Sequence, residues 1–206
     1  MSKIYFKRTD GFIPGTLNTG DLTHKDHLSL QKQGLHPQVL PQTMCSVIVQ
    51  RKGKTLRGIG IMNDAGGVEF CESGNLEDPV SLSKNGILFI PLKSRCVARI
   101  CNMFVDFLDY LSFKTFQEHS VMTFPSDCDY IIINHPSNFL FAMVKSDVYD
   151  NINLFMPNNI YGRTITLSIM SRNPLHTTDC SLHYQGFEHF RDFVHSLMSR
   201  KGQRWI

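Results

Sequence analysis

Acidic and amide side chains stand just after two apolar runs of the sequence, where buried strands would end. Asp106 and Asp109 follow the run ICNMF, and Asn158 and Asn159 follow the run NLFM. In a parallel sheet the carboxyl ends of the strands meet at one edge, where α/β proteins place their sites. Carboxylate oxygens at such an edge are the ligands that Mg²⁺ prefers. The stretch LFMPNNIYGR contains no carboxylate, however, which leaves a metal there with few anionic ligands.

The elements that would position these residues begin with a β-like region. Between residues 44 and 92 the chain has four short runs typical of strands: CSVIVQ, LRGIGIMN, GVEFCES and GILFIPL. The turn formers QRKGKT and NDAGG separate the first three runs, which favours an antiparallel meander. We predict a small β-rich lobe over residues 44–94, preceded by a polar N-terminal segment over residues 1–43.

From residue 95 onward strand and helix patterns alternate. ICNMF, CDYIIIN and NINLFM are apolar runs typical of covered parallel strands, whereas VDFLDYLSFKTFQEH and FEHFRDFVHSLMSRK have apolar residues at helical spacing. This order predicts a mostly parallel sheet flanked by helices over residues 95–206. RTITLSIM is ambiguous, because its β-branched residues favour a strand while the alternation requires a helix there.

Composition limits the class of protein. The 206 residues include 42% hydrophobic and 19% charged residues, with a net charge of +3. This balance is typical of a folded protein and permits weak nucleic-acid contact without requiring it. The six cysteines form no C-x-x-C pair, which predicts free buried thiols rather than a zinc or redox site. The N-terminus lacks the hydrophobic region of a signal peptide, and no apolar run approaches the ~20 residues of a membrane-spanning helix. We therefore expect a cytoplasmic protein with no membrane contact.

Five motifs in order resemble the Toprim-like domain of primase-type proteins from mobile elements, over about residues 30–197. LRGIGIMNDAGGVEF resembles the glycine-rich hairpin that precedes the Toprim fold, and FVDFLDYLSF resembles the motif F-E-G-x-x-D-x-L-S-F. DYIIINHPSN is similar to the strand with an Asn-containing loop, and LFMPNNIYGR to the motif L-D-N-D-x-A-G-R. DCSLHYQGFEHFRDFV resembles the closing segment. The resemblance implies a Toprim-like, Rossmann-like sheet and a helix for RTITLSIM.

The departures from the family pattern fall on its catalytic acids. Val105 stands where the family has a glutamate, and Asp106 stands where it has a glycine. Pro157 and Asn159 replace the two aspartates of the D-x-D element, on either side of Asn158. Other positions keep the family residue: Asp109, Gly162, Arg163 and Asp192. The resemblance therefore implies a degenerate Toprim site, with no catalytic residue and no metal, made of Val105, Asp106, Asp109, Pro157, Asn158 and Asn159.

The residue types at this site argue against a metal for a physical reason. A primase-type site holds Mg²⁺ with several carboxylates, but Val105 and Pro157 offer no side-chain ligand and Asn159 offers one neutral oxygen. Asp106 does not replace the missing glutamate, because a shift by one residue at a strand end turns the side chain to the other face. We interpret Asp106 as a helix N-cap and Asp109 as a first-turn residue favoured by the helix dipole.

Binding is the function that such a degenerate chain would keep. We expect weak contact with DNA or RNA, or binding to a protein partner of the same mobile element. The candidate phosphate contacts are Arg163, near the former phosphate site, and the basic hairpin residues Arg51, Lys52, Lys54 and Arg57. The competing interpretation is that these are ordinary solvated surface residues.

Two alternatives from other functional classes stay open at this point. One is a residual metal-dependent primase, nucleotidyl-transfer or nuclease-type enzyme, in which Asp106, Asp109 and Asn159 hold Mg²⁺. The other is a structural or dimerising module, since the sequence is compatible with a homodimer. No cofactor is expected outside the enzyme alternative.

Overall fold

The computed structural model describes residues 17–51, 54–92, 99–119 and 127–200. The strands in these ranges are β1 (Leu17–Gly20), β2 (Met44–Arg51), β3 (Lys54–Met62), β4 (Val68–Glu72), β5 (Asn75–Leu82), β6 (Leu88–Ile90), β7 (Ile100–Phe104), β8 (Cys128–Ile132), β9 (Asn151–Phe155) and β10 (Thr177–Asp179). The helices are α1 (His24–Lys32), α2 (Phe107–His119), α3 (Phe139–Ser146), α4 (Ile160–Arg172) and α5 (Phe190–Arg200). Short 3₁₀ turns cover Pro37–Val39, Pro136–Asn138 and Cys180–Tyr184.

The first sheet contains β1 to β5 in sequence order, with every neighbouring pair antiparallel. Its turn between β3 and β4 is organised by Asn63, whose side-chain oxygen accepts hydrogen bonds from the N–H groups of Ala65 and Gly67. The amide of Asn63 also donates to the buried carboxylate of Glu69 at 2.7 Å. The segment NDAGG therefore reverses the chain through side-chain to backbone hydrogen bonds of the kind that Asn favours in turns.

The second sheet has the strand order β10-β9-β7-β8-β6. β10, β9, β7 and β8 are parallel, and β6 is antiparallel to β8 at one edge. α2, α3 and α4 each connect two strands of the parallel set. The expected α/β architecture with a mostly parallel sheet and flanking helices is thus confirmed, and one antiparallel edge strand is added to it.

The strand pairing differs from the predicted lobe at both of its ends. β1 lies in the predicted polar N-terminal segment but pairs with β2. Three of its four residues are exposed, so no alternating pattern marks it. β6 was predicted as the last strand of the lobe but pairs with β8 in the second sheet. A three-residue apolar run does not specify its partner strand. The predicted boundary near residue 94 lies outside the described residues.

The helices cover both faces of the second sheet. α2 and α5 share one apolar cluster with Ile59 and Ile61 of the first sheet, and so they join the two sheets. α3 and α4 pack on the opposite face, in a second cluster with Ile131 and Leu154. Among the described residues, no helix is long and apolar enough to cross a membrane. The cysteines in these ranges are free and buried, as predicted, while Cys96 lies outside the described residues.

The ambiguous segment RTITLSIM lies inside α4, as the resemblance implied. Its polar side chains are compatible with a helix because the hydroxyls of Thr164 and Ser168, and of Ser171 just after the segment, donate to carbonyl groups four residues earlier, at 2.7 to 2.8 Å. Its buried residues Ile165 and Ile169 pack against the sheet. Tertiary packing therefore overrides the strand propensity of this segment.

Candidate functional site

Asp106 connects the end of β7 to the start of α2. One carboxylate oxygen accepts hydrogen bonds from the N–H groups of Leu108 and Asp109, both at 3.0 Å. These N–H groups have no partner within the helix, so Asp106 caps α2 as predicted. The cap leaves the second oxygen of Asp106 free to contact another group, and that group comes from the C-terminal helix.

Arg191, in the first turn of α5, contacts both carboxylates of the strand-end site. Its guanidinium Nη1 lies 2.7 Å from Asp106 Oδ2 and 3.7 Å from Asp109 Oδ1. The backbone N–H of Arg191 also donates to Asp109 Oδ1 at 3.0 Å. The Asp109 side chain is 1% exposed and that of Arg191 is 16% exposed, so these contacts are shielded from water.

His189 completes the cluster from the residue just before α5. Its Nδ1 lies 3.2 Å from Asp109 Oδ2, and its backbone N–H donates to Asp192 Oδ2. We call the set Asp106, Asp109, His189 and Arg191 the α5 clamp. Its polar contacts join the end of β7 and the start of α2 to the start of α5, more than 80 residues further along the chain.

The clamp changes the acidity of its members. Burial alone would raise the pKa of Asp106, but the positive charges of Arg191 and His189 and the backbone hydrogen bond lower it overall. Burial alone would lower the pKa of His189, yet its hydrogen bond and charge attraction to Asp109 raise it above the usual value. The same two carboxylates raise the pKa of Arg191. The clamp is therefore a set of buried charges in which the two carboxylates favour the charged forms of His189 and Arg191, while the positive charge of Arg191 partly opposes that of His189.

Three members of the clamp have ligand atoms that a metal ion could use. Oxygens of Asp106 and Asp109 and a ring nitrogen of His189 lie within 4.8 Å of one another. The guanidinium of Arg191 is in contact with the same two carboxylates. A metal that used both carboxylates would have to share them with this fixed cation, whose charge opposes a second positive ion.

Val105 and Pro157 are placed as packing residues. Val105 is half-buried against the apolar cluster under α3 and α4, and its carbonyl accepts a hydrogen bond from Asn134 N–H at 2.7 Å. Pro157 is buried directly below the first turn of α4. A Cβ added at Gly162 would come within 2.0 Å of the Pro157 carbonyl oxygen, so this turn requires glycine for its close approach.

Asn158 and Asn159 hold the surrounding loops by hydrogen bonds. The amide of Asn158 donates to the carbonyl groups of Tyr184 and Phe187, at 3.2 and 2.9 Å. The side-chain oxygen of Asn159 caps α4 by accepting from Gly162 N–H, and its amide donates to Glu188. Of the three groups considered for a metal, Asp106 and Asp109 are therefore joined by a hydrogen bond. The Asn159 oxygen instead accepts from Gly162 N–H in α4.

The basic residues proposed from the sequence lie on different parts of the fold. Arg163 is exposed on α4 and borders an open groove of about 640 Å³, together with Leu167, Leu182 and Glu188. Arg51 and Lys54 are opposite each other where β2 and β3 meet, in the first sheet. Arg57 is exposed on β3, and Lys52 lies outside the described residues. The structure thus places Arg163 on one sheet layer and the basic hairpin on the other.

Sequence reasoning missed His189 and Arg191. We interpreted the C-terminal helix from its apolar stripe, and a contact across more than 80 residues gives no local signal. One sequence feature could have indicated this contact. Arg191 lies in the first turn of the helix, where the helix dipole disfavours a positive charge. An arginine in that position is stabilised when it has a buried anionic partner.

Comparison with known proteins gives similarity at the level of structure. No family model and no curated protein matches the sequence. The chain is similar to the primase fragment of the bacteriophage T7 primase-helicase protein, with 10% identity, a TM-score of 0.47 and coverage of 89% of this chain and 72% of that one. It is also similar to a chain in the bacteriophage T7 lagging-strand DNA polymerase complex with the primase domains of two gp4 subunits, an RNA/DNA hybrid and dTTP. There the identity is 13%, the TM-score 0.33 and the coverage 74% of each chain.

Replacement of Gly162 by alanine should destabilise the strand-end loop. The added Cβ would overlap the Pro157 backbone, which cannot move without displacing β9, so we expect a loss of about 1–3 kcal/mol or more. Gly20→Ala is the matched control, because a Cβ there meets nothing within 4 Å. Chemical denaturation of both variants measures the effect. Equal stability of the two variants would contradict the close approach.

Protonation of His189 should depend on Asp109. In NMR titrations, the raised pKa of His189 should be lower in Asp109→Asn than in the parent protein. His135 lies outside the clamp, where burial lowers its pKa, and its titration should be the same in both proteins. Because the folded-state pKa of His189 is raised, its contribution to stability is complete below about pH 6.5 and is lost as pH rises through the raised value. Asp106 has a lowered pKa, so its contribution is present above about pH 4 and is lost as pH falls. An unchanged His189 titration in Asp109→Asn would refute the pairing.

Proposed function

We propose that this chain is a catalytically degenerate Toprim-like, primase-like protein whose strand-end site has become a structural clamp. Its remaining work is binding, to DNA or RNA or to a protein partner of the same mobile element. The observation that carries this proposal is the position of Arg191, whose guanidinium contacts Asp106 and Asp109 at 2.7 and 3.7 Å. In this proposal an internal cation engages the two carboxylates that a metal at this strand end would otherwise use.

The chemistry of the guanidinium supports loss of catalysis. A catalytic metal has open coordination positions that polarise substrate or lower the pKa of a bound water. A guanidinium is always protonated and donates hydrogen bonds in a fixed plane, and so it offers neither function. The substitutions at Val105 and Pro157 remove two further ligands, since both side chains pack against apolar or backbone atoms.

The residual-enzyme alternative is favoured by the close approach of Asp106, Asp109 and His189 within 4.8 Å. In that case Mg²⁺ or Mn²⁺ would bind these three groups, with His189 in the position that we assigned to Asn159. The ion would have to displace Arg191 from its contacts with both carboxylates. Titration with metal ions distinguishes the residual enzyme from the degenerate site.

Binding to nucleic acid rests on Arg163 and the basic hairpin. Arg163 is exposed in the first turn of α4, at the edge of the open groove, where a phosphate oxygen could approach it. Arg57 is exposed on the other sheet. A nucleic acid that used both would have to span two layers of the fold, so we give Arg163 the first test.

Replacement of Arg191 by alanine should both destabilise the protein and create a response to Mn²⁺. The variant leaves two buried carboxylates without their cation, which costs about 3–5 kcal/mol of unfolding free energy. Mn²⁺ should recover part of this loss, because it supplies positive charge to the carboxylates of Asp106 and Asp109 and can bind the His189 ring once that ring has released its proton. Thermal melts in chelator and in Mn²⁺ measure both effects.

Arg172→Ala is the control for this experiment. It removes an exposed ion pair with Asp147 at 2.6 Å and should change stability by less than about 1 kcal/mol, with no response to Mn²⁺. The parent protein should also be insensitive to Mn²⁺. A parent that is stabilised at micromolar Mn²⁺ would refute the degenerate site. An Arg191→Ala variant indifferent to Mn²⁺ would show that Arg191 does not stand in for a metal.

Retention of single-stranded DNA should weaken with salt if Arg163 contacts a phosphate. For single-stranded DNA, each phosphate contact makes the plot of log binding constant against log salt concentration steeper by about 0.7. Arg163→Ala should therefore make the dependence less steep by about that amount. Arg172→Ala should leave it unchanged, because Arg172 is already paired with Asp147. A parent that is not retained even at low salt would remove nucleic acid from the proposal and leave protein binding as its function.

A further inference from the structure

α3 is apolar on both its inner and its outer side. Its sequence FLFAMVKS has one charged residue, Lys145. Ala142 is fully buried, and Phe139 and Met143 pack against the same cluster. Yet the outward residues Leu140, Phe141 and Val144 are 66%, 61% and 57% exposed. A helix that is hydrophobic all round is normally buried, so the outer side of α3 lacks a partner in the single chain.

α4 is an internal comparison on the same face of the sheet. Its outward positions include Thr164, Ser168 and Ser171, whose hydroxyls bond to its own backbone. α4 also exposes Ile160 and Leu167, each at 66%, but it exposes polar residues beside them. α3 differs because every exposed residue within the helix is apolar.

The exposed residues of α3 form a continuous patch with its C-terminal turn. Val148, one turn after Val144, is 79% exposed. We call Leu140, Phe141, Val144 and Val148 the α3 patch. Its end is fixed in place by Asp147, which accepts three hydrogen bonds from the Arg172 guanidinium and one from the Asn173 amide. The patch is thus presented on a helix that is already anchored to α4.

We propose that the α3 patch is the interface through which two copies of this chain form a symmetric dimer. Its four side chains present on the order of 500 Å², comparable with the largest apolar patch of a typical monomer, about 300–600 Å². That is more than half of the ~800 Å² that each partner contributes to a standard interface. The area suits the apolar centre of a dimer interface with a polar rim.

The charges around the patch favour a second copy over a charged partner. Arg172 is paired with Asp147, and the Lys145 ammonium lies 3.9 Å from the centre of the Phe89 ring. Nucleic acid or an acidic protein would need cations that are not already engaged. A two-fold axis near Val144 would pack antiparallel α3 helices together, with Phe141 of one copy against Val148 of the other. A symmetric interface requires such a self-complementary surface.

Sedimentation equilibrium of the full chain over a wide concentration range tests the proposal. We expect a monomer–dimer equilibrium in the parent and at least about a hundredfold weaker dimerisation in Phe141→Ser/Val144→Ser, since two central apolar anchors are lost. Leu28→Ser and Met62→Ser are controls, because these residues are 43% and 45% exposed on other elements, and both variants should dimerise as the parent does. Melting curves of all variants establish that they are folded.

A cysteine at the axis gives an independent readout. Val144→Cys should form a disulfide-linked dimer on mild oxidation, whereas Leu28→Cys and the parent should not. A parent that is monomeric at every concentration overturns the proposal. So does a dimer that survives Phe141→Ser/Val144→Ser unchanged while Val144→Cys fails to crosslink. The α3 patch lies on the opposite face of the sheet from α2 and α5, so failure of the dimer would leave the α5 clamp and its metal test untouched.

Discussion

The contact of the Arg191 guanidinium with Asp106 and Asp109 is the interaction on which the second sheet and its helices depend. Two carboxylates at the end of a buried strand are unfavourable unless opposite charge and hydrogen bonds compensate them. Asp106 caps α2 with one oxygen and meets Arg191 with the other, while Asp109 receives the backbone N–H of Arg191. The start of α2 and the start of α5 are consequently one electrostatic unit, and α5 cannot leave without leaving buried charge behind.

A guanidinium at a strand end differs chemically from a metal ion. A bound metal can gain and lose ligands during a reaction, whereas the Arg191 guanidinium stays protonated and only donates hydrogen bonds. The neighbouring loop has been fixed in the same manner. The Asn158 amide bonds to carbonyl groups of the segment that leads into α5, and Asn159 caps α4. The described hydrogen bonds therefore hold both edges of the site in place.

Sequence patterns predicted the parts of this arrangement that rest on local physics. The capping role of Asp106 and the first-turn position of Asp109 follow from the strand end and the helix dipole, and the structure has both. The helix over RTITLSIM is also present, but it was implied by the resemblance against the local propensity of the segment. The partner of β6 and the clamp formed by His189 and Arg191 were not predicted. They depend on contacts between distant segments, and a three-residue strand or a single arginine carries no record of its partner in its immediate sequence.

Net charge is a poor guide to the binding surface of this chain because several of its cations are engaged by its own groups. Arg191 is held by two buried carboxylates, Arg172 by Asp147, Arg99 by Asp150, and Lys145 lies over Phe89. Each ion pair also engages an anion, so the excess of +3 is unchanged by these pairs, and it does not indicate which cations a phosphate backbone could contact. Apolar exposure is more informative here, because the outer side of α3 is exposed to water while its inner side is packed. The exposed residues of α3 lie on one helix and are all apolar, whereas the cations named above already contact groups of the same chain.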